Sequence, residues 1–137
     1  MQLSLDNNLE QYSIKAYDED GLQIIVPPSK TDKDRPEIQL IDYSIILTPV
    51  VMESWEPERH EQLDAEHFAR LLEWEPEVAL FGSGRRLRFP AAEVLAPLHR
   101  QGVGVEVMDT AAACRTFNIL ASEGRRVVAA MLMFESA

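Results

Sequence analysis

Apolar positions along the chain follow two different rhythms. Up to about residue 60 they alternate or form short runs, which is the mark of β structure. Tyr12-Ser13-Ile14-Lys15-Ala16-Tyr17 alternates, Asp18-Glu19-Asp20-Gly21 supplies a turn, and Leu22-Gln23-Ile24-Ile25-Val26 reads as the second arm of a hairpin. The polar stretch at 27–37, which holds three prolines, is expected to be an exposed loop. Tyr43-Ser44-Ile45-Ile46-Leu47 is a short apolar run closed by Pro49, and Val50 to Trp55 offers one more extended piece.

Beyond residue 63 helical and strand patterns take turns. Asp64 can cap a helix whose apolar stripe is Ala65, Phe68, Leu71 and Leu72, and Pro76 ends it. Val78 to Phe81 is a continuous apolar strand, and Arg86-Leu87-Arg88-Phe89 alternates as a second one. Pro90 suits the first turn of the next helix, Pro97 should kink or shorten it, and Gly102 is placed to close it. Val103, Val105 and Val107 mark a strand, Asp109 or Thr110 caps another helix, and Gly124 ends that helix. The run Val127 to Phe134 is apolar enough for a central strand covered on both faces. The order predicts an α/β sandwich with a mostly parallel central sheet and an additional N-terminal β hairpin or layer.

Length and composition narrow this picture. The 137 residues fit a single domain, 1–137, with residues 1–10 expected to be loosely ordered. Cys114 is the only cysteine, which excludes an internal disulfide and fits a reducing compartment. No apolar stretch reaches the ~20 residues of a membrane helix, and no targeting segment is visible, so the expected location is cytoplasmic. A net charge of −10 argues against nucleic acid. The charge is uneven: residues 1–81 hold 18 acidic and 6 basic groups, whereas residues 82–137 hold 5 and 7. Every basic residue of the second part is arginine, which binds carboxylates and phosphates as a planar fork.

Two polar elements stand where strands should end. Gly82-Ser83-Gly84-Arg85 follows an apolar strand and can present backbone N–H groups to an anion. It lacks the third glycine of a dinucleotide site and the lysine of a phosphate loop, so a tight turn with positive φ at Gly82 or Gly84 is the plainer alternative. The second element is the helix from Thr110 to Ser122. Thr110, Ala113, Phe117, Leu120 and Ala121 share its packing face, while Arg115, Asn118 and Ser122 lie opposite, either as surface groups or as a recognition surface. Asp109 opposes an anion at that helix start, because its carboxylate takes the same donors, and it can instead pair with Arg85, Arg86 or Arg88. Glu106 is expected to be partly buried or paired. Cys114 reads as a buried thiol, and His60, His67 and His99 as surface residues with no metal-ligand spacing. No catalytic constellation, metal set or cofactor motif is visible.

The segments G-S-G-R-R-L-R-F-P at 82–90, G-V-G-V-E-V-M-D-T at 102–110 and A-A-C-R-T-F-N-I-L with E-G-R-R-V-V-A-A at 112–130 resemble a family of small, functionally uncharacterised proteins. That family includes the mitochondrial respiratory complex I assembly factor 3 and a cytosolic adipogenesis-associated relative. The resemblance covers roughly residues 10–135 and implies a three-layer β/α fold around a mixed central sheet whose last strand is antiparallel to its neighbours. It implies an assembly or interaction protein with an unidentified protein partner and without established catalysis; with no transit segment visible, a bacterial form is expected, and no cofactor is expected from the motifs. The polar patch it leaves to be explained is Gly82, Gly84, Arg85, Asp109, Thr110, Arg115, Thr116 and Asn118, to which Ser83 is added from the turn. A small anion or metabolite is the alternative partner, and a homo-oligomer is a third reading. All of them expect the glycine turn and the start of the last helix to meet at one edge of the sheet.

Overall fold

A computed structural model describes residues 10–133, so the expectation of a loose start at residues 1–10 lies, Glu10 aside, outside the described residues. Among the described residues eight strands form two sheets. In the smaller sheet β1 (Ser13–Asp18), β2 (Gly21–Val26) and β3 (Glu37–Ile41) run antiparallel in that order. The larger sheet adds β4 (Ile45–Leu47), β5 (Met52–Ser54), β6 (Val78–Gly82), β7 (Gly104–Met108) and β8 (Val127–Met131) in the order β5-β4-β8-β6-β7. Its β7-β6-β8 half is parallel and its β8-β4-β5 half antiparallel. The final strand is therefore antiparallel to β4 but parallel to β6, which corrects the direction implied by the resemblance. The helix that carries the chain from β7 back to β8 imposes the parallel pairing.

The central sheet separates two apolar layers. On one side α1 (Ala65–Ala69), the 3-10 turn Arg70–Trp74 and α2 (Ala92–Arg100) pack Phe68, Leu71, Leu95 and Leu98 against Phe81, Val128 and Ala130. Trp55, Phe68 and Phe81 meet there edge to face, with ring centroids 5.4–6.1 Å apart. On the other side α3 (Thr110–Ser122) lies beside the small sheet. Ala113, Cys114, Phe117 and Ala121 join Ile14, Leu22, Ile24 and Ile41 over Leu80, Ala129 and Met131. β8 sits in the middle with all five residues buried, as its unbroken apolar run requires.

Several expectations change. Arg86 to Phe89 forms no strand, because the chain after β6 is bolted into a loop that leaves Leu87 54% and Phe89 67% exposed. Glu37 to Ile41 is a third strand that the hydrophobic pattern did not single out. α2 continues past Pro97, which is buried, to Arg100. Glu106 is exposed, because β7 is an edge strand and α3 packs over β6 and β8 instead. His67 is no surface residue: its side chain is 17% exposed, and it closes the cap of α1 with Asp64. The ring of His60 packs against Phe81.

A side-chain amide ties the small sheet to α3. Asn118 on α3 accepts a hydrogen bond from the Ile14 N–H at 2.9 Å and donates one to the Ile14 carbonyl at 2.8 Å. It thus acts as a one-residue strand on the free edge of β1. The sequence placed Asn118 opposite the packing face, and the small sheet is what covers it there. Asn118→Ala is expected to lower unfolding stability by about 1–3 kcal/mol in urea titration. Asn118→Asp, which keeps the shape but loses the donor, should cost at least as much.

Candidate functional site

The carboxyl ends of the three parallel strands converge on one hydroxyl. Thr110, fully buried at the first turn of α3, donates through Oγ1 to the Leu132 carbonyl at 2.6 Å and accepts from the Gly84 N–H at 2.8 Å. Its own N–H donates to the Gly84 carbonyl at 2.9 Å. Ser83 N–H to the Met108 carbonyl and Leu132 N–H to the Gly82 carbonyl, both 2.9 Å, carry the sheet pairings past their last regular residues. The glycine turn and the start of α3 therefore meet at a common edge. Both turn glycines have a reason. A Cβ on Gly82 would stand 2.9 Å from Thr110 Oγ1 and 3.0 Å from Met131 Cγ, so this glycine permits close approach, not positive φ. Gly84 adopts φ of +98°, which side chains disfavour.

Ser83 holds the loop that follows. Its buried hydroxyl donates to the Arg86 carbonyl at 2.6 Å and accepts from the Arg88 N–H at 3.1 Å. The loop is thereby fixed with Leu87 and Phe89 turned to solvent, while Arg88 reaches Glu61 at 3.8 Å. Arg85 and Arg86 are exposed.

Asp109 caps α3 by accepting the Ala112 N–H at 2.8 Å. The donors that an anion would use at this edge are thus largely occupied by the fold itself: Gly84 N–H by Thr110, Ser83 N–H by Met108, and the helix start by Asp109. Tyr17 lies close to both polar elements. Its hydroxyl donates to the Met133 carbonyl, and burial pushes the phenol above its usual range while the nearby Arg85 charge opposes that shift. Tyr17 also lines a shallow groove of about 170 Å³ between β1 and α3, together with Ala111, Cys114, Arg115 and Asn118. Arg115 is exposed in this groove, and Thr116 is half-buried on the flank of α3.

The predicted residues thus divide. Gly82, Ser83, Gly84, Asp109 and Thr110 are brought together and make the junction. Asn118 binds β1. Arg85 and Arg115 both lie near Tyr17. Tyr17, Leu87 and Phe89 were missed as surface features: Tyr17 reads as one more tyrosine in an alternating strand, and the other two as the inward face of a strand that does not form. The remaining arginines are partly structural. Arg125 pairs with Glu77 at 3.1 Å, and Arg126 Nε donates to the Glu75 carbonyl at 3.0 Å. The Arg126 backbone N–H and the Arg125 guanidinium hold the Glu77 carboxyl below its usual range. Among the described residues no group of three or more His, Cys, Asp or Glu side chains is arranged to hold a metal.

With this geometry in view, comparison with known proteins is specific. A family model described as "Protein of unknown function (DUF498/DUF598)" matches residues 14–132. The chain belongs to this family. It is 39% identical over 89 residues to NADH dehydrogenase [ubiquinone] 1 alpha subcomplex assembly factor 3 of Danio rerio, a match covering 64% of this chain and 51% of that protein. A 13 kDa major membrane protein of Francisella tularensis is 33% identical over 61 residues, covering 44% of this chain and 50% of that protein. The chain spans about half the length of these curated relatives. A crystal structure of a Bordetella parapertussis protein superimposes with a TM-score of 0.73 at 35% identity, covering 89% of this chain and 95% of that one. The family resemblance and the α/β sandwich read from the sequence are both borne out. No described helix is long and apolar enough to cross a membrane.

The junction and the buried Cys114 can each be probed. Thr110→Val leaves the Gly84 N–H and the Leu132 carbonyl buried without a partner and should cost about 2–4 kcal/mol in chemical denaturation, whereas Thr110→Ser should retain most of the stability. Cys114 is buried 4.0 Å from the Met131 sulfur, and burial pushes its thiol up to about 12. The folded thiol stays protonated while the unfolded one ionises near its ordinary value of about 8.5. Its contribution to stability is therefore complete below pH ~8.5 and is lost as pH rises toward 12. Iodoacetamide at pH 8 should leave Cys114 unmodified in the folded protein and alkylate it in denaturant.

Proposed function

We propose that this chain is a non-enzymatic, assembly-type protein of one domain that engages a protein client at the carboxyl end of β6. The client-facing surface is the loop of Arg85, Arg86, Leu87 and Phe89, flanked by Arg115. One observation carries this reading: the backbone donors of the glycine turn are used inside the fold, while Leu87 and Phe89 stand exposed on a loop that the Ser83 hydroxyl ties at Arg86 and Arg88. A rigid apolar anchor with an arginine rim loses little entropy on binding another protein. The similarity to an assembly factor of the NADH dehydrogenase alpha subcomplex supports the same class of role. That similarity spans half of the relative, so its client is not assigned to this chain. A cytoplasmic location is part of the proposal.

The second reading, a small-anion or metabolite site, is favoured by one feature, the exposed Arg85 and Arg115 near Tyr17. A carboxylate or phosphate at about 100 times its dissociation constant should stabilise the fold by about 2.7 kcal/mol. A flat thermal-shift screen over phosphates, nucleotides and carboxylates removes that reading.

The main proposal is tested by affinity capture from the cells in which the protein occurs, comparing the native chain with Phe89→Ser and Arg115→Ala. These exposed substitutions should leave the melting temperature nearly unchanged. Specific proteins held by the native chain should be lost with both variants. Retention of the same proteins by both variants overturns the assignment of this surface.

A further inference from the structure

Three of the exposed large apolar side chains fall within six residues of one another, on a face remote from the glycine turn in sequence and in sheet. Ile38 is 53%, Leu40 56% and Tyr43 43% exposed, and all belong to or follow β3. β3 is an outer strand of the small sheet, and no described strand pairs with its far side. The opposite edge, β1, is closed by Asn118.

The direction of the backbone groups on β3 follows from that closure. The Ile14 N–H and carbonyl both point to Asn118, away from β2, so Ile14 and Ile24 form a non-hydrogen-bonded pair. Ile24 must then exchange hydrogen bonds with Gln39 on β3. By alternation, Ile38 and Leu40 turn their N–H and carbonyl groups to the open edge, and Gln39 does not.

That edge is complementary to itself. We propose that β3 pairs antiparallel with β3 of a second copy of this chain about a two-fold axis at Gln39, making one six-stranded sheet. In this register Ile38 faces Leu40 of the second copy, and Leu40 faces its Ile38. Each such pair exchanges two backbone hydrogen bonds and joins two exposed apolar side chains on the outer face. Glu37 faces Ile41, so no like charges stand opposite one another. Pro36 faces Asp42, which sets the exposed Arg35 beside Asp42 and Tyr43 of the second copy. Sliding the register by two residues toward Pro36 sets a residue without an N–H against Leu40, and sliding it the other way sets Asp42 against Ile38. The register about Gln39 is thus the one of the three that sets both Ile38 and Leu40 opposite apolar residues that carry an N–H. The interface is isologous and closes at two copies. This surface is separate from the client-facing loop, so either assignment can fail without the other.

The test uses the full chain. Sedimentation equilibrium from about 1 μM to about 1 mM should show mass rising from 15.5 kDa to twice that value. Ile38→Lys and Leu40→Lys should each weaken self-association by about tenfold or more while leaving the melting curve of the monomer intact, since both side chains are exposed. Gln39→Cys supplies the register test. Its Cα atoms would stand about 4.5 Å apart across the axis, within disulfide reach, and diamide should give a covalent dimer. Glu37→Cys, displaced by about 14 Å along the strands, should not cross-link. The buried Cys114 thiol does not compete. A monomer at every concentration overturns the proposal, as does a dimer that survives Leu40→Lys or one that Gln39→Cys fails to trap.

Discussion

The hydroxyl of Thr110 is the point on which this architecture turns. Three chain segments leave the central sheet at the same edge, after β6, β7 and β8, and each would otherwise expose backbone groups to an apolar interior. One threonine, donating to one segment and accepting from another, fixes their relative positions. Its N–H then returns a bond to Gly84, so the contact with the glycine turn is two-sided. Gly82 makes this possible by bringing no side chain where Thr110 must approach. Glycine turn, helix cap and final strand therefore form one unit. The residues that look like an anion cradle in the sequence are largely its internal wiring.

That wiring decides how the surface can be used. A cradle for a small anion needs unclaimed donors, whereas here the fold claims Gly84, Ser83 and the start of α3. What remains at this end is of another kind: arginines on the rim, and two apolar side chains that a buried serine holds in solvent. Ser83 would be unremarkable on a surface turn. Fully buried, with both its donor and acceptor roles filled by the same loop, it converts a flexible connection into a fixed protrusion. The passage from sequence to function runs through this serine more than through the arginines beside it.

Much of the fold could be read from the chain, because burial on both faces leaves a plain signature. The apolar run from Val127 gave a central strand, and the small-residue face of Thr110, Ala113, Phe117 and Ala121 gave a helix pressed on a sheet. The meeting of Gly84 and Thr110 was legible too, since strand ends in such sandwiches gather at one edge. Where the reading failed, the cause is tertiary. Leu87 and Phe89 alternate like a strand, and only the bond from Ser83 reveals that they do not form one. Asn118 looks solvent-facing on a helical wheel until a second sheet arrives to cover it. Glu106 looks paired until β7 proves to be an edge. Local pattern records which face is apolar, but not which partner covers it.

Asn118 has one more implication. A three-stranded sheet has two open flanks, and two open flanks permit unlimited head-to-tail stacking of copies into fibres. Here one flank is plugged by an amide from the chain's own helix, and the other has no described strand beside it. Losing that amide would do more than loosen the layer. It would uncover the Ile14 N–H and carbonyl, so that the β1 flank would again offer backbone groups to a strand.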